Sequence, residues 1–292
     1  MKSKYAVLAL MLIYFYWGIT TVLMKHILVY MNSSMYIMFR YLSAALFCGL
    51  FIFKYLKKIN RQTLIRSALI GFLLLLPLEL SVLGLNYTSA SNSVFISQLS
   101  IVIVPSIVYI SQKQYPSKSF LLCIISILIG LGIFADVLHG GFNFGDGITL
   151  LSTFVNSMAI LIIDRYSKQD DPMVLALLQN IFAAFFSVFF AIPQFSSVIW
   201  NSHSLLIIFL TGVIGTGIAY MIQINVQKFV SSIQVSLISI FSPIFGMIGA
   251  AIIPDITGQV EVITLNKFIG AMIILMSLVT YSIKQNKEHK KT

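Results

Sequence analysis

Two residues of opposite charge stand inside apolar runs: Arg40 in YIMFRYLSAAL and Glu79 in LLLLPLELSVL. Gln98, Asn156 and Gln179 place amides inside other apolar runs, and Trp17 adds an indole. The chemistry these groups offer is recognition. A guanidinium and a carboxylate can hold a zwitterionic or charged solute, amides can hydrogen-bond it, and a carboxylate can take up and release a proton. An ionised side chain in hydrocarbon is costly, so such residues face a bundle interior and pair. Arg40 lies 14 residues before Lys54, and Glu79 lies 13 residues after Arg66. At 1.5 Å per helical residue both are roughly 20 Å from one membrane face. Two readings stand. Either Arg40 and Glu79 share the outer half of a cavity for such a solute, with Glu79 titrating as it works, or their role is structural, as a buried ion pair or with Glu79 staying protonated.

The amides carry the same alternatives. Gln98 either contacts substrate or ties helices together, and the structural role is favoured. Asn156 and Gln179 either line a cavity or serve packing. Asn180 falls on a different helix face from Gln179. Trp17 is about 12 residues into its run, beyond the interface where indoles collect, so it is packed or cavity-facing. Lys25 and Lys267, at outer helix ends, are expected to snorkel to water. His26, His139, His203 and His289 fall in loops or at helix ends, and Cys48 and Cys123 lie apart within apolar runs. Neither a metal site nor a disulfide framework is indicated, and no cofactor is implied.

The elements that position these residues follow from composition. Of 292 residues, 58% are hydrophobic and 10% charged, with mean hydropathy +0.95. A soluble domain is about a quarter charged, so this is an integral membrane protein. The net charge of +10 is spread over short breaks between apolar runs, which excludes a nucleic-acid patch. The N-terminal run is too long and aromatic for a signal peptide and reads as a retained helix. Spanning helices need about 20 apolar residues, and all-α packing into ten of them is expected: 5–25, 33–53, 64–86, 91–111, 119–136, 146–164, 172–192, 204–226, 232–253 and 267–284. In that register sixteen of the nineteen Lys+Arg fall on one face, placing both termini in the cytoplasm.

The chain also repeats itself. A shift of 139 residues lays the first helix on the sixth and Arg40 on Gln179, while NYTSASNSVFISQLSIVIVP (86–105) resembles NVQKFVSSIQVSLISIFSP (225–243) at a shift near 142. Five helices per half force opposite orientations, a transporter architecture with the substrate site near the midplane. The expected division is a first repeat over 1–138, an extracytoplasmic link over 139–145 within the Gly-rich HGGFNFGDG, and a second repeat over 146–292 ending in a cytoplasmic tail. Pro77, Pro105 and Pro243 mark kinks, and Gly246, Gly249 and Ala250 a face for close helix approach.

Several segments together resemble the EamA-type transporters of the drug/metabolite transporter superfamily: YWGITTVLMK (16–25), FRYLSAAL (39–46), LGLNYTSASNSVFISQLSIVIVPSIVYI (83–110), GDGITLLSTFVNSMAILIIDRYSK (145–168) and AYMIQINVQKFVSSIQVSLISIFSPIFGMIGAAI (219–252). The likeness covers essentially the whole chain. It implies two inverted five-helix repeats around a central cavity, and export of amino acids or other small metabolites. Asn156 stands where an aromatic is common, and IIPDITGQVE replaces the usual short Gly-Glu ending. No nucleotide-binding Gly-Lys-Ser/Thr loop is present, and no catalytic motif points to an enzyme. The expected activity is alternating-access transport of a small polar metabolite across the cytoplasmic membrane. An exporter of cationic or aromatic drug-like compounds is the alternative, and a non-transporting scaffold the remoter one. Partners are a small-molecule substrate, the bilayer and a coupling proton. Nucleic acid is not among them, and the chain is expected to be a monomer or homodimer.

Overall fold

The computed structural model describes residues 3–85, 87–88, 93, 96–135, 143–195, 198–254, 260 and 263–289. The helices, numbered in chain order, are α1 (Ser3–Ile27), α2 (Ser33–Ile52), α3 (Arg61–Leu85), α4 (Ser100–Ser111), α5 (Lys118–Ala135), α6 (Phe144–Tyr166), α7 (Pro172–Ala191), α8 (Ser202–Gln227), α9 (Ser232–Ile252) and α10 (Leu265–His289). No strand occurs among the described residues. Six segments are long and apolar enough to cross a membrane: Ser33–Lys58, Arg61–Gly84, Phe144–Tyr166, Pro172–Gln194, Ser202–Gln227 and Ser232–Ile252. Shorter apolar helices cover Lys4–Thr20, Ser100–Ser111, Lys118–Phe134 and Leu265–Tyr281. The first part of the expected 91–111 helix and most of the 139–145 link lie outside the described residues, as does the side chain of Lys25.

Polar caps fix where the helices start. Asn32 accepts from the N–H of Met35 at the head of α2, and Asp171 accepts from Met173 beside Pro172 at the head of α7. Asn143 with Asp146, Asn201 with Ser204 and Ser231 with Gln234 form reciprocal boxes that open α6, α8 and α9. Each box satisfies two N–H groups that the first turn leaves without partners. Asp146 is buried at this point and also accepts from Thr88 Oγ1, which ties the chain after α3 to the head of α6.

Glycines set the helix spacing, and they recur between the halves. A Cβ on Gly71 of α3 would stand 2.6 Å from the carbonyl oxygen of Gln179 in α7. A Cβ on Gly212 of α8 would stand 2.7 Å from the carbonyl oxygen of Arg40 in α2. Arg40 and Gln179 are the pair matched by the 139-residue shift, so the same contact is made twice with the halves exchanged. Gly130 of α5 and Gly270 of α10 face each other, a Cβ on either meeting the other's carbonyl oxygen at 3.0 and 2.5 Å. The small face on α9 packs inside the bundle: a Cβ on Gly18 of α1 would meet the backbone nitrogen of Gly246 at 2.8 Å, and one on Gly249 would meet Ile19.

On one polar face the link after α2 and the first turns of α3 are clipped to the link after α6. Arg66 pairs with Asp170 at 2.7 Å and Lys58 with Asp171 at 2.7 Å. The outward faces are apolar, with Leu46, Leu50, Ile110 and Leu122 largely exposed. An apolar surface of this extent needs a hydrocarbon solvent.

Candidate functional site

A cavity of about 240 Å³ lies at the seam between the halves. Tyr14 and Trp17 enter it from α1, and Tyr220 and Gln223 from α8. Ser97 and Gln98 come from the chain leading into α4, Ser100 from its first turn, Asn156 and Ile160 from α6, and Ser239 and Ser242 from α9. The two halves supply matching positions. Trp17 corresponds to Asn156 by the 139-residue shift, and Ser97 to Ser239 and Ser100 to Ser242 by a shift of 142.

Three aromatic rings form one wall. Trp17 meets Tyr14 edge-on at 5.3 Å and Tyr220 at 5.3 Å. The Trp17 indole is also anchored, donating from Nε1 to the carbonyl of Gly215 at 2.6 Å. That carbonyl belongs to an unusual stretch of α8, where Phe209–Ile218 is wound as a π-helix. π-Turns misalign backbone groups and are frequent at functional sites. Here side chains take up the displaced carbonyls. Tyr16 Oη donates to Leu210 O at 2.9 Å, and Thr216 Oγ1 donates to Thr211 O at 2.9 Å. The lining also carries the amides Gln98, Asn156 and Gln223, and Gln223 Oε1 is buried without a hydrogen-bond partner. A buried acceptor left open costs about 1–3 kcal/mol, so this one is poised for a ligand donor or a water.

Of the six residues singled out in the sequence, Trp17, Gln98 and Asn156 are brought together here. Arg40, Glu79 and Gln179 are not among the cavity-lining residues. Arg40 is 8% exposed, donates from Nε to Thr216 Oγ1 at 2.7 Å, and points Nη1 at Met24 Sδ, 3.7 Å away. Glu79 accepts from Ser34 Oγ at 3.0 Å. Ser34 precedes Arg40 by six residues, roughly 9 Å along the axis of α2. The expectation that the two charges sit level is therefore corrected: Glu79 is nearer the outer end of α2. The ion pair between them is absent among the described residues, whose ion pairs are Lys58–Asp171, Arg66–Asp170 and Lys168–Asp164. The error came from measuring depth from Arg66, which stands five residues inside α3 rather than at its end, whereas Lys54 lies just past the end of α2.

Gln179 is fully buried, with neither side-chain amide atom hydrogen-bonded. Asn180 beside it is buried too, donating to Ala176 O at 3.0 Å. Sequence reasoning missed Tyr14, Tyr220 and Gln223. Tyr14 was accessible to it, since a residue three before Trp17 shares its helix face. Gln223 stands three after Tyr220 by the same rule, but nothing in the sequence marks that face of α8 as inward. His26 and His203 approach with ring centroids 6.0 Å apart at the extracavity end of α1 and α8.

A bundle of apolar helices enclosing a small polar cavity between two similar halves is the build of a membrane transporter. The comparisons with known proteins agree. Residues 4–135 and 143–283 each match the EamA-like transporter family, and the chain belongs to it. An uncharacterized transporter of Archaeoglobus fulgidus is 25% identical over 284 residues, covering 97% of this chain and 87% of that one. A solved crystal structure superimposes with a TM-score of 0.73 at 11% identity, covering 98% of each chain, which speaks to the fold alone.

Proposed function

We propose that the protein is a secondary transporter with ten membrane spans in two oppositely oriented halves and both termini in the cytoplasm. It moves a small polar metabolite, of amino-acid size, out across the cytoplasmic membrane by alternating access. The observation that carries this reading is the cavity at the seam, lined from both halves by matching positions and carrying the unpartnered Gln223 carbonyl. A site on the seam is the place where rocking of one half against the other changes access. Gln98, Asn156 and Gln223 supply hydrogen bonds to polar groups of the solute, and Tyr14, Trp17 and Tyr220 supply a flat apolar wall. Glu79, with one carboxylate oxygen buried and unpartnered, is the candidate proton carrier in coupling.

The test is counterflow in liposomes holding the purified protein, with a panel of amino acids, purines, polyamines and quaternary amines. Uptake of a panel member that is abolished by Asn156→Leu or Gln98→Leu is the expected result. No movement of any member by folded protein would turn the reading to a non-transporting scaffold. The three aromatic rings favour a second reading, an exporter of cationic or aromatic drug-like compounds, because π faces attract cations. Quaternary amines moving faster than amino acids would select it.

A further inference from the structure

A second, larger hollow lies away from the seam. Consecutive helices α4 and α5 splay apart, leaving an outward groove of about 460 Å³. Val102 and Pro105 wall it on one side, and Leu121 and Ile124 on the other. Its floor is closed by Tyr109 packing on Phe120 at 5.6 Å. The rim is lipid-facing by composition, with Ile110 77% exposed. At one end the apolar walls give way to Lys113, Gln114 and Tyr115 in the short link between the helices. That link is separated from the link after α2 by two helices, so it emerges on the same basic face as Lys54, Lys57 and Lys58.

Charge at this mouth is one-sided. No Asp or Glu occurs from residue 98 to 118, and Lys118 opens α5 five residues after Lys113. Neither lysine joins an ion pair among the described residues. The mouth therefore joins an apolar slot to the basic Lys113, with Lys118 following at the head of α5, and Tyr115 supplies an amphipathic ring of the kind that suits a membrane interface. We propose that this groove is a binding site for an anionic phospholipid, one acyl chain lying along Val102, Pro105, Leu121 and Ile124 and the headgroup phosphate held at Lys113 and Lys118. The proposal rests on α4 and α5 spanning the bilayer.

Native mass spectrometry of the full chain, in micelles doped equally with phosphatidylglycerol and phosphatidylcholine, tests it. Preferential retention of phosphatidylglycerol is expected, with the preference falling about fivefold for each lysine removed in K113A and K113A/K118A. Ser106 also lines the groove and is exposed, so S106W fills the slot from its open side and leaves the lysines in place. It should reduce retention of both lipids, with unchanged thermal unfolding showing that the fold is kept. Equal retention of the two lipids, or retention unaltered by K113A/K118A, overturns the anionic site while leaving the membrane reading intact. Displacement of the lipid by millimolar inorganic phosphate would reassign the lysines to free phosphate and likewise overturn it. Retention of neither lipid by the wild-type chain would strike at the spanning of α4 and α5 itself.

Discussion

α3 and α8 hold equivalent places in the two halves, yet their middles are built differently. α3 stays α-helical through Pro77, which removes the N–H that would bond the carbonyl of Leu73. α8 has no proline and instead widens into the π-wound Phe209–Ile218. Both irregularities are patched from neighbouring helices. Tyr41 Oη donates to Leu74 O at 3.2 Å and Ser152 Oγ to Pro77 O at 2.7 Å around the break in α3. Tyr16 and Trp17 do the same for Leu210 and Gly215 in α8. The patching helices correspond as well, since α1 and α6 are matched by the repeat. The difference lies in where the donor sits. Ser152 is fixed in a packed interface, whereas Trp17 also walls the cavity, so of these two donors only the one that patches α8 meets whatever the cavity holds.

The largest expected effect tests what the halves share. Gly71→Leu and Gly212→Leu should each destabilise by about 3 kcal/mol, because each forces a side chain against backbone across a helix contact. Unfolding in detergent measures this, and a tolerated substitution at only one of them would show that the two contacts are not equivalent. Next comes Trp17→Phe, which keeps a ring and loses the N–H. The Gly215 carbonyl is left open, and amide exchange across residues 214–220 should quicken roughly tenfold, equivalent to about 1.4 kcal/mol. Ser152→Ala is expected to be milder, about 0.6 kcal/mol as for typical bonds between membrane helices, with no change in exchange in α8. If Ser152→Ala loosened its helix as much as Trp17→Phe loosens α8, the contrast drawn between them would fail.

The smallest effect lies on the polar face. Partial burial pushes the Asp171 carboxyl up, but hydrogen bonds from Lys58 and the Met173 N–H outweigh it and hold the group below its ordinary value. A carboxylate whose folded value is depressed adds stability above its unfolded value and loses it as pH falls through the folded one. Stability should therefore decline below about pH 4, and Asp171→Asn should flatten that limb slightly, as expected for a partly exposed pair. An unchanged acid limb would remove Asp171 from the account.

Much of the helix layout was legible in the sequence. The expected 33–53, 172–192 and 232–253 segments differ from α2, α7 and α9 by a residue at their ends, because caps such as Asn32, Asp171 and Ser231 announce helix starts in polar links. Part of the candidate site was legible too. Trp17, Gln98 and Asn156 meet in the cavity, as polar groups placed where hydrocarbon would otherwise reject them. Arg40 and Gln179 answer to the same sequence rule but are absorbed by packing, Arg40 on Thr216 and Gln179 behind Gly71. Glu79 was misplaced in height because a chain gives depth only along its own helix, whereas α2 and α3 are offset by their packing.

By itself, then, the sequence determined that the chain is a bundle of apolar helices in two similar halves, with most of its basic residues in the breaks between apolar runs. Length and hydropathy decide these things one helix at a time, since each backbone must satisfy its own hydrogen bonds in lipid. The tertiary structure alone decided which face of each helix looks inward, and so brought Tyr14, Tyr220 and Gln223 to the cavity and sent Arg40 away from it. Lipid tails and helix cores are about equally apolar, so where no polar residue marks a face the sequence carries little contrast between the two sides of a helix. Rotation is settled by the shape of the contacts, such as Gly71 on Gln179 and Gly212 on Arg40, where only the absence of a side chain lets the helices meet.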